Sequence, residues 1–242
     1  MAYVSTATTT LKYGTCQVET ATIVGTITTG GNATITVTGA GITGSPVAVS
    51  VAVALGDTAT VVAQKSADAI NLNANISAVY TAVNSGATII LTRKIPATND
   101  ATLNVASANG TCAGLTNQAT STDTTSGVAL ATLCPITSYP DLGSAPSKLD
   151  TTDMSQTTYK TSILGLQDAP DLTFEANYDE AVFNTINGLT GRYGFELGFN
   201  AVDGKFNWQG QVRVFAKGGG VDEVRKMTVV LSAETPLVFA LT

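Results

Sequence analysis

Apolar side chains recur at every second position through most of this chain, and at helical spacing in only two places. Residues 34–38 alternate Ile35 and Val37 with Thr34, Thr36 and Thr38, the period of a half-buried strand. Val47, Val49, Val51 and Val53 keep the same period with Ala and Ser between them, the clearest strand in the sequence. Gly39, Gly41, Gly44 and Pro46 punctuate a turn between these runs. Asp57 or Thr58 is placed to cap a helix starting near Ala59, with Val62, Ser66, Ala69 and Ile70 as its stripe. Asn84-Ser85-Gly86 predicts a hairpin turn between strands at 80–83 and 87–94, and residues 101–106 supply one more strand. The core order is ββαββ, a small α+β unit.

Residues 116–125 are rich in Thr and Ser and nearly free of large apolar groups, which reads as a linker. Beyond it the pattern changes scale. Residues 171–177 alternate as a strand, and Val182, Phe183 and Ile186 then fall at helical spacing over 179–187, with Gly188 as the stop. Tyr193, Phe195, Leu197 and Phe199 alternate next. Asp203-Gly204 is a tight-turn signal, and Phe206, Trp208, Gly210, Val212, Val214 and Ala216 form one face of a long strand. Gly218-Gly219-Gly220 predicts a turn, followed by strands at 223–232 and 237–241. A strand, a helix and four strands joined by tight turns predict a β-sandwich or partly closed barrel flanked by one helix. Residues 138–170 are polar and turn-rich, a long irregular segment of the kind that makes contacts.

Composition divides the chain at the same place. All seven Phe and the only Trp lie between Phe174 and Phe239, whereas residues 18–130 hold one aromatic, Tyr80. One body is built on large side chains and the other on small, β-branched ones. The reading is a discontinuous body of 1–17 with 130–242, and a Thr/Ala/Val-rich body over 18–129 with its linkers.

Charge and cysteine content narrow the function classes. The formal charge is −6 with no His, and charged residues are 12% of the chain, about half the usual share. An acidic balance argues against non-specific binding to nucleic acid, which needs clustered Lys and Arg. Without His, Ser-His-Asp and Cys-His pairs and His-ligated zinc sites cannot be built within the chain. Cys16, Cys112 and Cys134 form an odd set without CxxC spacing, which argues against a disulfide framework or structural zinc site. Cys16 and Cys134 flank the Thr-rich stretch and are read as separately buried thiols in a reducing cytoplasm, with proximity of the two as the alternative. The start lacks the pattern of a secretory signal, and no apolar run is long enough to span a bilayer. No catalytic residue, cofactor or metal is expected.

Several local signals are discounted on context. Gly39, Gly41 and Gly44 have dinucleotide-loop spacing but lie between two strands instead of a strand and a helix. Asp57, Asp68 and Asp100 are too scattered for a calcium loop. The adjacent Asp179-Glu180 suit a helix start better than paired-carboxylate glycosidase chemistry.

The C-terminal body carries a family resemblance. Cys134-Pro135-Ile136-Thr137-Ser138-Tyr139-Pro140-Asp141-Leu142-Gly143, then Lys148-Leu149-Asp150-Thr151-Thr152-Asp153-Met154, resembles the major tail tube proteins of long, flexible-tailed bacteriophages. So do Gly165-Leu166-Gln167-Asp168-Ala169-Pro170-Asp171-Leu172, Ala176-Asn177-Tyr178-Asp179, Phe206-x-Trp208-x-Gly210 and the run from Gly218 to Thr228. The resemblance covers residues 131–242, and residues 1–15 look like the family's first strand. The Thr-rich stretch is the departure, read as an inserted decoration domain.

The resemblance implies a mainly β fold: a tail-tube β-sandwich or partial barrel with one flanking helix, plus the inserted ββαββ unit. It implies a structural virion protein assembled in the host cytoplasm as hexameric rings. These stack into a tube whose lumen passes DNA without binding it specifically. Implied partners are further copies of the chain, the tape measure protein, and the tail tip and tail terminator proteins. Channel carboxylates would repel phosphate, and Asp150, Asp153 and Asp168 are candidates for lumen or inter-ring contacts. Arg213, Lys217, Asp222, Glu223 and Arg225 cluster around one predicted hairpin and are candidates for inter-subunit contacts. The rival reading, a secreted or surface-displayed β-rich adhesin or S-layer-like protein, fits the Thr-rich composition but lacks the secretory-signal pattern and leaves the C-terminal blocks unexplained.

Overall fold

The structure, a computed structural model, describes residues 9–143, 145–153, 158–165, 171–200 and 204–241. Asp168, and the Asp203 half of the expected turn, lie outside the described residues. The chain divides into two compact units, Gly14–Leu130 and, discontinuous in sequence, Met1–Tyr13 with Ala131–Thr242. It is mainly β, with several sheets.

After β1 (Thr10–Thr15), the unit Gly14–Leu130 contains β2 (Val18–Thr22), β3 (Val24–Thr29), β4 (Gly31–Thr38) and β5 (Val47–Val53). The helices α1 (Ala59–Leu72) and α2 (Ala74–Ser77) follow, then β6 (Tyr80–Ser85), β7 (Thr88–Arg93), β8 (Asn104–Asn109), β9 (Ala113–Thr116) and β10 (Thr122–Thr125). They form three sheets, β10-β2-β7-β6, β5-β4-β8 and β3-β9. The elements β4, β5, α1, β6 and β7 follow the expected ββαββ order except that the short α2 intervenes before β6, and β2, β3, β9 and β10 add to it. The expected linker is partly sheet: Thr122–Thr125 pairs with β2. All four residues of β10 are exposed, so no apolar alternation marks the strand in the sequence. The strand expected at 101–106 begins at Asn104 instead, because Asp100 holds the turn before it. Its Oδ1 accepts from the N–H and hydroxyl of Thr102, at 2.9 and 2.6 Å.

The core of this unit is assembled from small side chains. Val49, Val51 and Val53 point inward beside Val62, Ala63, Ala67 and Ile70 of α1, with Tyr80 the largest fully buried residue. Thr58 occupies the N-cap position of α1 without a side-chain cap bond. Asp57 does not cap the helix either: its Oδ2 accepts from Ala54 N at 2.8 Å and pairs with Lys65 Nζ at 2.6 Å. Gly25 and Gly114 allow β3 and β9 to meet. Both have positive φ, +111° and +112°, and a Cβ at Gly25 would stand 2.2 Å from the Gly114 carbonyl oxygen.

β11 (Val128–Cys134) leads from this unit into the other, which contains β12 (Ile136–Ser138), β13 (Lys148–Asp150), β14 (Ser162–Leu164), β15 (Asp171–Asn177) and α3 (Glu180–Asn187). β16 (Tyr193–Asn200), β17 (Gly204–Ala216), β18 (Lys226–Ala233) and β19 (Val238–Ala240) complete it. The main sheet has the order β11-β1-β16-β17-β18-β15-β12, with β19 beside β17. Its two edge strands, β11 and β12, are consecutive in the chain with only Pro135 between them. Two residues span about 7 Å at most, so the sheet must roll until its edges meet at that corner.

Large side chains fill the inside of the roll. Trp208 stacks between Phe174 and Phe195, with ring centroids 6.5 and 5.9 Å away. Leu11, Leu172, Leu197, Val212, Met227, Val229 and Leu231 surround them. Helix α3 adds Ile186, with Val182 and Phe183 partly buried beside it. Asp179 caps α3 through Oδ1, which accepts from Val182 N at 3.0 Å, and Gly188 ends it. The irregular segment 138–170 includes the short antiparallel ribbon β13–β14.

Candidate functional site

The outward face of the rolled sheet carries most of the charge that the structure organises. Phe174, Trp208, Val212, Val214, Met227 and Val229 point inward, so strict alternation turns Glu175, Gln211, Arg213, Phe215, Thr228 and Val230 outward. Register then places Phe215 beside Thr228, and Thr228 beside Glu175. The same rule turns Glu196 outward between the inward Phe195 and Leu197.

Two lysine–glutamate–lysine groups mark this face. Glu196 pairs with Lys12 through Oε1 at 3.0 Å and with Lys205 through Oε2 at 2.9 Å. Glu196 is only 4% exposed, and the two lysines cover it. Burial, the largest single influence, opposes its ionisation. Hydrogen bonds from Lys205 and Lys12, with their charges, outweigh burial together and hold the carboxyl below its ordinary value. Glu175 pairs with Lys217 and, at 3.6 Å, with Lys226. The hydrogen bond from Lys217, then its charge, lowers the Glu175 pKa.

Of the five residues expected to cluster at one hairpin, Arg213 and Lys217 belong to this face, while Asp222, Glu223 and Arg225 lie exposed in the β17–β18 loop. Among the described residues no ion pair joins any two of the five. Arg213 Nη1 donates to the Val212 carbonyl at 3.0 Å. Glu223 Oε2 accepts from Gly220 N at 3.0 Å, and the Arg225 carbonyl accepts from Tyr178 N at 2.9 Å. Glu175, Glu196, Lys12, Lys205 and Lys226 were not singled out from sequence. Lys12 and Glu196 are 184 positions apart, beyond any local pattern. Glu175 was accessible to it as an outward position of an alternating strand.

Asp150 and Asp153 are exposed, Asp150 at the end of β13 and Asp153 just after it. Asp150 Oδ1 accepts from Thr152 N at 2.8 Å, and hydrogen bonds from Thr152 lower its pKa. Lys160 lies 3.9 Å away, with both side chains mostly in solvent, so this pair contributes little. The ribbon itself is apolar where it meets water. Leu149 and Ile163 sit directly opposite each other, and both are more than half exposed, as is Leu164. Val221, Val224, Phe239 and Leu241 are also exposed in this unit.

Cys16, Cys112 and Cys134 are buried and free of disulfides, and burial pushes the Cys134 thiol up to about 11. Among the described residues no group of three or more His, Cys, Asp or Glu could hold a metal ion. No described helix is long and apolar enough to cross a membrane. The arrangement can present charge and apolar surface to a partner. No protein-family model matches the chain, and no curated protein matches it.

Proposed function

We propose that this chain is a structural virion protein that polymerises as stacked hexameric rings into the tail tube of a long, flexible-tailed phage. The sequence blocks over 131–242 motivate the reading. The β13–β14 ribbon is the observation that carries it. A two-stranded ribbon is marginally stable alone in water. This one exposes Leu149, Ile163 and Leu164, each by more than half. Such a ribbon suits burial against a neighbouring copy. The exposed Val221, Val224, Phe239 and Leu241 fit the same reading, as does the low share of charged residues.

In this reading Asp150 and Asp153 lie at contacts between rings or near the lumen, DNA passes without specific binding, and residues 18–129 project outward as a decoration domain. The test is negative-stain electron microscopy of the purified chain over a concentration series. Hollow tubes or six-fold rings with external knobs are expected. Monomers that persist at high concentration and in the presence of tail-tip complexes would overturn the reading.

A further inference from the structure

The sequence of β5 is its own mirror image, and among the described residues its outer edge is unpaired. Val47-Ala48-Val49-Ser50-Val51-Ala52-Val53 reads the same in both directions about Ser50. β5 is the end strand of the sheet β5-β4-β8, and among the described residues no strand pairs with its far side.

The backbone direction follows from β4. Asn32 turns its carbonyl toward Gly110 N at 3.1 Å and its N–H toward Thr111 Oγ1 at 2.9 Å, both on the β8 side. Neighbouring residues of a strand direct their backbone groups to opposite sides, so Ala33, Ile35 and Val37 face β5, where they pair with Val51, Val49 and Val47. The N–H and C=O groups of Ala48, Ser50 and Ala52 therefore point to the free edge. The side chains of these three residues are exposed and small.

The other edges of this unit's two larger sheets are protected. Asn71 occupies the backbone of Ala82 on β6. Gln118 exchanges both backbone hydrogen bonds with Ser107 on β8. β10 is only four residues long. β5 has seven residues with no charge and no bulge, the kind of edge that templates pairing with another strand.

The geometry points to β5 as a self-pairing edge, joined antiparallel to β5 of a second copy about a two-fold axis at Ser50. Ser50 then faces Ser50 of the second copy and Ala48 faces Ala52, with their edge-directed backbone groups bonded in both directions. The palindrome keeps all valines on the inward side of the joined sheet and Ala and Ser outward. Any copy satisfies the pairing, because the same surface serves both sides of an isologous contact.

This contact rests on residues of Gly14–Leu130 and stands separately from the tube reading. A ring contact is heterologous, whereas this one links two chains and stops. The test uses the full chain with Ser50→Cys, whose thiol is exposed while the native cysteines are buried. A short bifunctional maleimide should give covalent dimers on a denaturing gel, and nothing larger. Ala48→Lys with Ala52→Lys, added to that chain, sets like charges opposite each other and should remove the dimer. Ala48→Lys with Ala52→Glu sets opposite charges there and should restore it. Dimers no more abundant than from Ser85→Cys, at the exposed end of β6, would overturn the proposal. So would equal cross-linking in the Lys/Lys and Lys/Glu chains.

Discussion

Asn71 of α1 grips the backbone of Ala82 on edge strand β6, donating through Nδ2 to the carbonyl at 2.7 Å and accepting at Oδ1 from the N–H at 2.9 Å. One amide side chain thus supplies both bonds that a further strand would make there. Replacing it with Ala leaves two backbone groups without partners at a partly covered edge. Asn71→Ala should cost about 1–3 kcal/mol in denaturant unfolding. It should also increase light scattering on mild heating, because the freed edge can pair with other chains. Asn71→Asp keeps the acceptor but loses the donor, and should fall between the two.

Glu196 makes stability depend on acid in one direction. Its folded pKa lies below the ordinary value of 4.5 because Lys205 and Lys12 together overcome the effect of burial. The ionised form therefore contributes stability above about pH 4.5, and that contribution is lost as pH falls through the lower folded value. Glu196→Gln removes the ion pairs but keeps the shape. Thermal melts from pH 7 to pH 3 should show the variant less stable than the parent at pH 7, with the gap closing in acid.

Glu19 should behave in the opposite sense. It is 3% exposed on β2, and burial, the largest influence, raises its pKa. The Ser121 hydroxyl lowers it, at 2.6 Å from Oε1, and the charge of Asp123 raises it. The folded state holds the proton more tightly than the unfolded one, so its contribution is full below about pH 4.5 and is lost as pH rises through the folded value. Glu19→Gln keeps a neutral partner for Ser121 and should raise the melting temperature at pH 7. A gain of about 1 kcal/mol corresponds to ~2–4 °C in a chain of this size. The advantage should vanish near pH 4.

The parts of this fold that were legible in sequence are those where side-chain burial alternates with the backbone. Val47 to Val53, Asp171 to Asn177 and the aromatic row from Tyr193 to Phe199 belong to strands, and Asp179 with Gly188 bounds a helix. β10 was not legible, because a fully exposed edge strand of Thr and Asp has no apolar period. The start of β8 was not legible either, because Asp100 organises a turn through its side chain, and propensity does not report such bonds. Neither lysine–glutamate–lysine group was foreseen, since each draws partners from strands distant in sequence. Lys217 was singled out, but its partner Glu175 became apparent only once β15, β18 and β17 were in register.

The ribbon β13–β14 separates folding from assembly. Leu149 and Ile163 face each other across it and are both more than half exposed, so each contributes little to the stability of the isolated chain. Leu149→Ser with Ile163→Ser should change unfolding free energy by no more than about 0.5 kcal/mol per site. If the ribbon is buried between copies, the same pair of substitutions removes apolar contact at every repeat of the polymer. Electron microscopy and sedimentation should then show soluble, folded chains in place of tubes at concentrations where the parent assembles. Undiminished tubes from the double variant would mean that the ribbon is not an assembly contact, whatever the polymer's form. A large loss of stability in the unassembled chain would mean that Leu149 and Ile163 support the fold itself.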